Sequence, residues 1–465
     1  MELAKNILTT FQTWNQPNGT GEVWWGDLLF ARQLAGRMQM NGVHLANWEV
    51  ERELCEIALK DLELRRQKLA ETMIRRFKNG ESPYAVAVHF SVSEPTIFKW
   101  QQKACTEMAG FIQAQESALR NQRTPYLLAS LPPSSYTRLF GADHLTEQIV
   151  QHFAPATPNW LLTLTGVGGI GKSALADAAA RMLIANHHYA HMVWITYAPL
   201  TLDGRSPHPA ALYEQVILAL AALPHIAAQN QPGRERDLAV QAALKANPYL
   251  VVVDNVEEPD DLQHLLKQLP RFINPSHFLI TSRARLSGDI NAPILPIPPL
   301  SRPDSKALWR YEAGRTTLPG LDVVSEEHLD ALFDRLGGNP LMIKVSVGLA
   351  TQFALPDIIA DLENQPTGVT DENFRRVFEQ AWAALSPNAR LVLQGMALIS
   401  EEGTDLKHLA MINNLDEAAT RAAIQELTRR SLLVVQGNLK NLTYGIHRLT
   451  RTFITANLLD WRDTT

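Results

Sequence analysis

Eight consecutive residues, Gly166-Val167-Gly168-Gly169-Ile170-Gly171-Lys172-Ser173, match the spacing GxxxxGK[ST] in full. That spacing suits a polyphosphate. Glycines let backbone N–H groups curl around phosphate oxygens, and a following helix N-terminus adds partial positive charge. The lysine ammonium reaches the β- and γ-phosphates, and the serine hydroxyl sits on Mg2+. The expected phosphate-binding set is Gly166, Gly168, Gly169, Ile170, Gly171, Lys172 and Ser173, and the expected ligands are ATP or ADP with Mg2+. A glycine-rich turn arising by chance is the competing reading. A strand-like run before it and the helix former Ala174 to Ala180 after it argue for phosphate.

A second charged group follows from the run Tyr249-Leu250-Val251-Val252-Val253, which ends in Asp254-Asn255. An acidic residue at the carboxyl end of a buried parallel strand lies in the crevice where such sheets bind ligands. Asp254 therefore reads as the carboxylate holding Mg2+ through water, with a loop-capping aspartate as the alternative. Asn255 cannot act as a base on attacking water, and Glu257 and Glu258 lie two or three residues beyond it. Hydrolysis is expected to be slow, so the chain is at most a slow ATPase, suited to a switch rather than a motor. The run Phe278-Leu279-Ile280 ends in Thr281-Ser282-Arg283-Ala284-Arg285. Arg283 there is either a γ-phosphate sensor, by a charge-assisted bond, or a surface arginine.

Strands and helices must hold these groups together. Short Val/Ile/Leu-rich runs at 160–164, 192–195, 249–253 and 278–280, separated by helical stretches, suit strands buried on both faces. Residues 136–300 thus read as an α/β P-loop nucleotide-binding core, a parallel sheet wrapped by helices. Asn291 to Pro303 carries five prolines, although Ile294, Leu295 and Ile297 suit a short edge strand. Helices return from 301, with one late strand-like run, Ser431-Leu432-Leu433-Val434-Val435. Prolines between Pro125 and Pro133 cannot continue a helix and mark a linker at 126–135. Residues 1–125 form a helical module. Trp48 to Phe77 lacks Gly and Pro, has Val50, Leu54, Ile57, Leu62, Leu69 and Met73 at helical spacing, and stops at Asn79-Gly80.

Bulk properties exclude several classes. The 465 residues suit about three domains, and 46% hydrophobic with 20% charged residues is the balance of a soluble protein. A net charge of −5 gives no global reason to bind nucleic acid or an anionic membrane. Two cysteines, Cys55 and Cys105, rule out a disulfide framework and fit a reducing cytosol. No leader pattern opens the chain and no apolar run approaches a bilayer span, so a cytoplasmic protein without a membrane partner is expected.

Within the N-terminal module, Pro83 to Trp100 reads as part of a helix-turn-helix covering about 68–105. Ala87 is small where two helices cross, Ser91 stands at the turn, and Val92, Ile97 and Trp100 point inward. Thr96, Lys99, Gln102 and Lys103 then face outward as candidate DNA contacts. From Lys60 to Lys103 nine basic residues oppose five acidic ones, a local excess in an acidic chain. A trihelical protein-interaction module is the alternative. Trp14, Trp24 and Trp25, around Gly19 and Gly21, show no chemical motif and suit a core or a partner surface.

From about Tyr136 to Leu458 the order of motifs resembles the NB-ARC class of STAND ATPases, the nucleotide switches of plant resistance proteins, apoptosome scaffolds and bacterial regulators. Val193-Trp194-Ile195 resembles the strand after the P-loop helix, Leu250 to Val256 the family's LVLDDV run, and Ile280 to Arg283 its TTR sensor. Leu300-Ser301 with Ala307-Leu308-Trp309 resembles the opening of the helical subdomain, here 301–366. Gly337-Gly338-Asn339-Pro340-Leu341 is similar to the GLPL motif, which implies Pro340 beside the adenine. Tyr444 to Leu449 is similar to the MHD motif of a winged-helix subdomain, here 367–465, which implies that His447 touches the ADP β-phosphate and holds a closed state. A helix-start histidine is the bland alternative for His447. Two departures stand out. Leu139-Phe140-Gly141-Ala142-Asp143 lacks the arginine of the family's hhGRExE stretch, leaving Phe140 as the adenine-side candidate, and Arg448 replaces the MHD aspartate.

The resemblance implies an ADP-held, ATP-released switch that self-oligomerises when ATP-bound. Only 18 residues follow His447, too few for the family's repeat array, which implies a separate sensor protein, a longer parent chain or a signal read elsewhere on this one. Output through DNA in bacterial transcription regulation is the first expectation. A defence or stress switch recruiting an effector protein is the second, and an AAA-type DNA loader the third.

Overall fold

The computed structural model describes residues 2–15, 24–26, 28–40, 46–154, 159–186, 189–197, 210–283, 292–316, 318, 320–363, 371–397, 399, 403–437, 442–447, 450–451 and 453–455. Gly19, Gly21, Ala284, Arg285, Arg448 and Leu449, all singled out above, lie outside the described residues. The chain divides into two compact units, Met1–Ala129 with Ile184–His188, and Ser130–Leu183 with Tyr189–Thr465.

The first unit is all helical: α1 (Glu2–Gln12), α2 (Leu29–Met40), α3 (Asn47–Arg65), α4 (Gln67–Met73), α5 (Pro83–Phe90) and α6 (Glu94–Ala129). Two sequence expectations change here. The stretch Trp48 to Phe77 is not one helix. Arg66 leaves the helical region at φ −145° and ψ 63°, and a π-helical turn at Ile74–Lys78 precedes Gly80, which adopts a left-handed φ of 72°. The second change concerns Pro125, which does not end a helix, because α6 runs through it to Ala129. The proline removes one backbone donor, but buried Leu127 anchors the last turns and the Thr124 hydroxyl donates to the Arg120 carbonyl at 2.9 Å. Packing outweighs the break. Ile7, Phe11, Cys55, Leu62, Met73, Cys105 and Met108 form the core of this unit, both thiols free and buried.

The second unit contains α7 (Asp143–His152), then β1 (Leu161–Thr165), α8 (Lys172–Ala185), β2 (His191–Thr196), α9 (Ala211–Ala221), α10 (Gly233–Ala246), β3 (Tyr249–Val256), α11 (Pro259–Gln268), β4 (His277–Ser282) and β5 (Ile294–Pro296). Every expected strand of the core is present. The sheet is parallel in the order β2-β3-β4-β1-β5. All of β4 and nearly all of β3 are buried, as continuous apolar runs require. Pro296 lies on the edge strand, where its missing N–H costs no ladder bond.

Helices α12 (Arg302–Ala313), α13 (Glu326–Leu336), α14 (Pro340–Ala350), α15 (Leu355–Glu363) and α16 (Asp371–Ala383) follow. Their starts are chemically marked. Ser301, Ser325 and Asn339 each cap a helix by accepting backbone N–H groups, with Pro at the first turn of α12 and α14. The chain closes with α17 (Pro387–Ala397), α18 (Leu406–Ile412), α19 (Glu417–Arg429) and an antiparallel ribbon of β6 (Val434–Gly437) and β7 (Leu442–Gly445). Thr404, between α17 and α18, bridges Tyr444 on β7 through two backbone bonds of 3.0 and 2.7 Å. One continuous apolar cluster joins α12–α17 to the last helices and to Leu432, Leu433 and Ile454.

Candidate functional site

At the carboxyl end of β1 the chain turns through Gly166 to Gly171 into α8, with Gly169 and Gly171 at left-handed φ of 75° and 102°. L-residues pay roughly 1–2 kcal/mol for that region, which is why glycine stands at both positions. Lys172 folds back over the loop, donating from Nζ to the Gly166 and Val167 carbonyls at 2.8 and 3.0 Å. Burial, then the charge of Arg283, pushes its ammonium down to about 8, although Asp254 and Glu257 pull the other way.

β1 and β3 are not neighbours, because β4 lies between them. Asp254 is nevertheless brought to Ser173, whose Oγ donates to Asp254 Oδ1 at 2.8 Å. Two features absent from the motif accomplish this. Asn255 sits at φ 77°, and the β3–β4 register shifts between Val253 and Val256, a bulge that re-aims the strand end. Thr281 on β4, fully buried, donates its hydroxyl to Asp254 Oδ1 and accepts the Asn255 N–H at 2.9 Å. The Asn255 carboxamide donates to the Tyr197 carbonyl at 3.1 Å. Asparagine tolerates the left-handed region better than most residues, so at this position it serves the backbone.

Arg283 pairs with Glu257, Nε to Oε1 at 3.1 Å, so one of the two displaced carboxylates is tied to the expected sensor. Glu258 stands at the N-cap position of α11. His447, half-buried and near the far end of the sequence, lies within electrostatic range of this group. Burial first, then the positive charges of Arg283, Lys172 and Lys344, pushes its imidazole down to about 4. A neutral His447 is therefore the state at physiological pH.

That shift has a stability consequence. The folded value lies below the roughly 6.5 of an unfolded imidazole, so acid favours unfolding. The contribution of His447 is whole above about pH 6.5 and is lost as pH falls from there to about 4. His447→Gln should flatten the fall of the melting midpoint between pH 7 and pH 5; an identical slope in both proteins would refute it.

The adenine-side candidates are placed less directly. Phe140 packs on the α12–α14 cluster, its ring 5.5 Å from Tyr311, with the Arg138 guanidinium 4.8 Å from its centroid. An arginine thus stands just before Phe140, where the motif comparison looked for one after it. Pro340 occupies the first turn of α14, half-buried. Not legible in the sequence were Thr281 as a partner of Asp254, Lys344 as a charge acting on His447, and Asn339. Only the third carried a signal, as a capping residue before proline.

In the N-terminal unit, α5 and α6 join through Ser91 at φ 55°, and Val86, Ala87 and Ile97 pack with Phe90, Val92 and Trp100. Lys99, Gln102 and Lys103 are exposed. Thr96 is half-buried, its hydroxyl 2.9 Å from that of Ser93 at the start of α6. The basic excess is partly neutralised: Arg65 pairs with Asp61, Arg66 with Glu107, Arg75 with Glu71 and Glu81, and Lys78 with Glu56.

Residues 142–292 match the family model of the NB-ARC domain. The chain carries an NB-ARC domain, and with it a P-loop nucleotide-binding fold. The matched span of this NB-ARC domain runs from just before α7 to just before β5, and so includes every phosphate-side group described above except Asn339, Lys344 and His447. A WD repeat-containing protein of Nostoc sp., alr2800, is 23% identical over 59% of this chain and 23% of its own length. The disease resistance protein RPP8 of Arabidopsis thaliana is 24% identical over 53% of this chain and 26% of its own. The chain thus spans about a quarter of the length of these curated relatives. Among solved structures, a STAND protein with a tetratricopeptide repeat sensor, PH0952 from Pyrococcus horikoshii, is 15% identical, with a TM-score of 0.47, over 70% of this chain and 43% of its own. Among the described residues no helix is long and apolar enough to cross a membrane.

Proposed function

We propose that this chain is a nucleotide switch that binds ADP or ATP with Mg2+ at the P-loop, and that His447 reports which of the two is bound. The observation that carries the reading is the Ser173 hydroxyl held on Asp254 Oδ1 at 2.8 Å beside a loop that Lys172 Nζ folds over, with Arg283 and His447 within electrostatic range. The positive charges of Lys172 and Arg283 oppose each other here, and a polyphosphate relieves that opposition. Ser173 and Asp254 suit Mg2+ because a hydroxyl and a carboxylate oxygen already meet there. Mg2+ would neutralise phosphate charge at that position.

In this reading the last helices and the β6–β7 ribbon, with the Thr404–Tyr444 bridge, act as a winged helix that delivers His447. ADP holds the chain closed, and ATP releases His447 and frees surfaces for self-association. Moving a two-state equilibrium from 1:99 to 99:1 takes about 5.5 kcal/mol. A ligand at 1,000 times its Kd that binds one state only supplies about 4 kcal/mol, so contacts between subdomains contribute the rest. Turnover is slow because Asn255 is no base and Glu257 is held by Arg283.

For the output, α5 and α6 form a helix-turn-helix that presents Lys99, Gln102 and Lys103, supporting DNA binding and bacterial transcription regulation. The four carboxylate-paired basic residues, and exposed Tyr84, Val88 and Phe98, favour the second reading, recruitment of an effector protein. Calorimetry of the whole chain should show micromolar or tighter ADP binding, and ATP with Mg2+ should shift His447→Ala to larger assemblies in size exclusion. Absence of heat with either nucleotide sinks the switch. A gel shift with steep salt dependence selects DNA; no shift at low salt selects the effector.

A further inference from the structure

Beside Pro340, whose expected place is next to the adenine, stands Asn339, which is 1% exposed. Its carboxamide makes contacts in two directions. Oδ1 accepts the Leu341 and Met342 N–H groups at 3.0 and 3.3 Å and so caps α14. Nδ2 donates to the Gly168 carbonyl, inside the P-loop and 171 residues away, at 2.8 Å. The Leu341 N–H also approaches the Gly169 carbonyl at 3.4 Å. The approach is tight: a Cβ on Gly169 would lie 2.9 Å from Leu341 Cβ and 3.0 Å from Asn339 Oδ1.

A cap alone needs only the oxygen, so the nitrogen's contact calls for its own explanation. A peptide unit is planar and trans, with its C=O and N–H pointing to opposite sides. Holding the Gly168 carbonyl against Asn339 therefore turns the Gly169 N–H to the other side of the loop. Holding the Gly169 carbonyl against Leu341 does the same for the Ile170 N–H. Glycines rotate freely, and without an external hold these two peptides would sample both orientations.

We infer that Asn339 is a positioning residue for phosphate binding: its carboxamide fixes the Gly168–Gly169 peptide so that the N–H groups of Gly169 and Ile170 are aimed in advance at phosphate oxygens. The inference rests on the reading that this loop takes phosphates. It also makes α14 a mechanical link. The same helix meets the P-loop at Asn339, carries Lys344, whose charge acts on His447, and lies flush at Gly348 against the Arg430 carbonyl that follows α19.

Two substitutions separate the cap from the clamp. Asn339→Asp keeps an excellent cap but has no donor for the Gly168 carbonyl. Asn339→Ser also caps, adds no charge, and is one bond too short to reach that carbonyl. Each variant of the whole chain is titrated with ADP by calorimetry beside the unaltered protein, and each is melted without nucleotide. The expected result is ADP affinity weakened about 10- to 100-fold in Asn339→Asp and about fivefold or more in Asn339→Ser, beyond what the accompanying fall in the nucleotide-free melting midpoint explains. Wild-type affinity, within twofold, in Asn339→Ser overturns the inference, because the loss in Asn339→Asp would then be charge repulsion alone. Affinity loss that only tracks a lower melting midpoint overturns it too. If the unaltered protein binds no ADP, the switch itself fails, and the two failures are distinguishable.

Discussion

Lys172→Ala should lose nucleotide affinity by about 100-fold or more without losing the fold. A hydrogen bond to a charged group contributes about 1.5–3 kcal/mol, and an ammonium bridging two phosphoryl groups makes more than one. The fold does not depend on that ammonium. Its lowered value means the nucleotide-free protein holds the charge against its preference, because burial and Arg283 oppose it. Removing it costs two bonds to loop carbonyls and relieves that burial, so the melting midpoint should stay level or rise. A pH signature follows as well. In the free protein Lys172 loses its proton above about 8, so ADP affinity should weaken as pH rises beyond that point, with one proton taken up on binding. Lys172→Ala should show no such dependence. Calorimetry in two buffers of different ionisation heat checks both, and an unchanged affinity in the variant would remove Lys172 from the site.

Gly338→Ala should be the most destabilising single-methyl change near the site, at about 3 kcal/mol. Two costs add. Gly338 has φ 73°, a region that costs an L-residue roughly 1–2 kcal/mol. Its new Cβ would also stand 2.4 Å from the Leu300 carbonyl oxygen and 3.2 Å from the Leu300 nitrogen, backbone atoms that cannot rotate away. Overpacking of that kind costs about 1–3 kcal/mol. The Leu300 N–H donates to the Gly338 carbonyl at 3.0 Å, so relief by moving the chain breaks the tie between the sheet's exit and α14. Gly320→Ala is the internal control: φ is 87° there, but among the described residues nothing beyond its chain neighbours lies within 4 Å of the added carbon. Chemical denaturation should separate the two by about 1–3 kcal/mol. Equal losses would mean that strain acts alone and the close approach is immaterial.

Much of the nucleotide core was legible because its signals are local. A buried parallel strand must be apolar on both faces, so β1, β2, β3 and β4 stand out as continuous runs, and even the proline-rich edge strand β5 was readable. The phosphate loop is a single stretch whose residue types follow from backbone conformation, and Asp254 is marked by its place at a strand end. The ends of α12, α13 and α14 carry capping serines and an asparagine visible in the sequence. Breaks within helices were less legible. Arg66 interrupts a run free of Gly and Pro, whereas α6 passes through Pro125, because packing across the N-terminal core outweighs single-residue preference.

By itself the sequence determined which residues can cradle a phosphate, which strands must be buried, and where their carboxyl ends fall. These are consequences of residue type over a few neighbouring positions. Tertiary structure alone decided that Thr281 and a left-handed Asn255 turn Asp254 toward Ser173, that Arg283 engages Glu257, and that α14 ties Asn339 to the loop. Each of those contacts joins positions that are far apart in the chain or depends on one backbone angle, and neither a distance in space nor a torsion is written in composition or spacing.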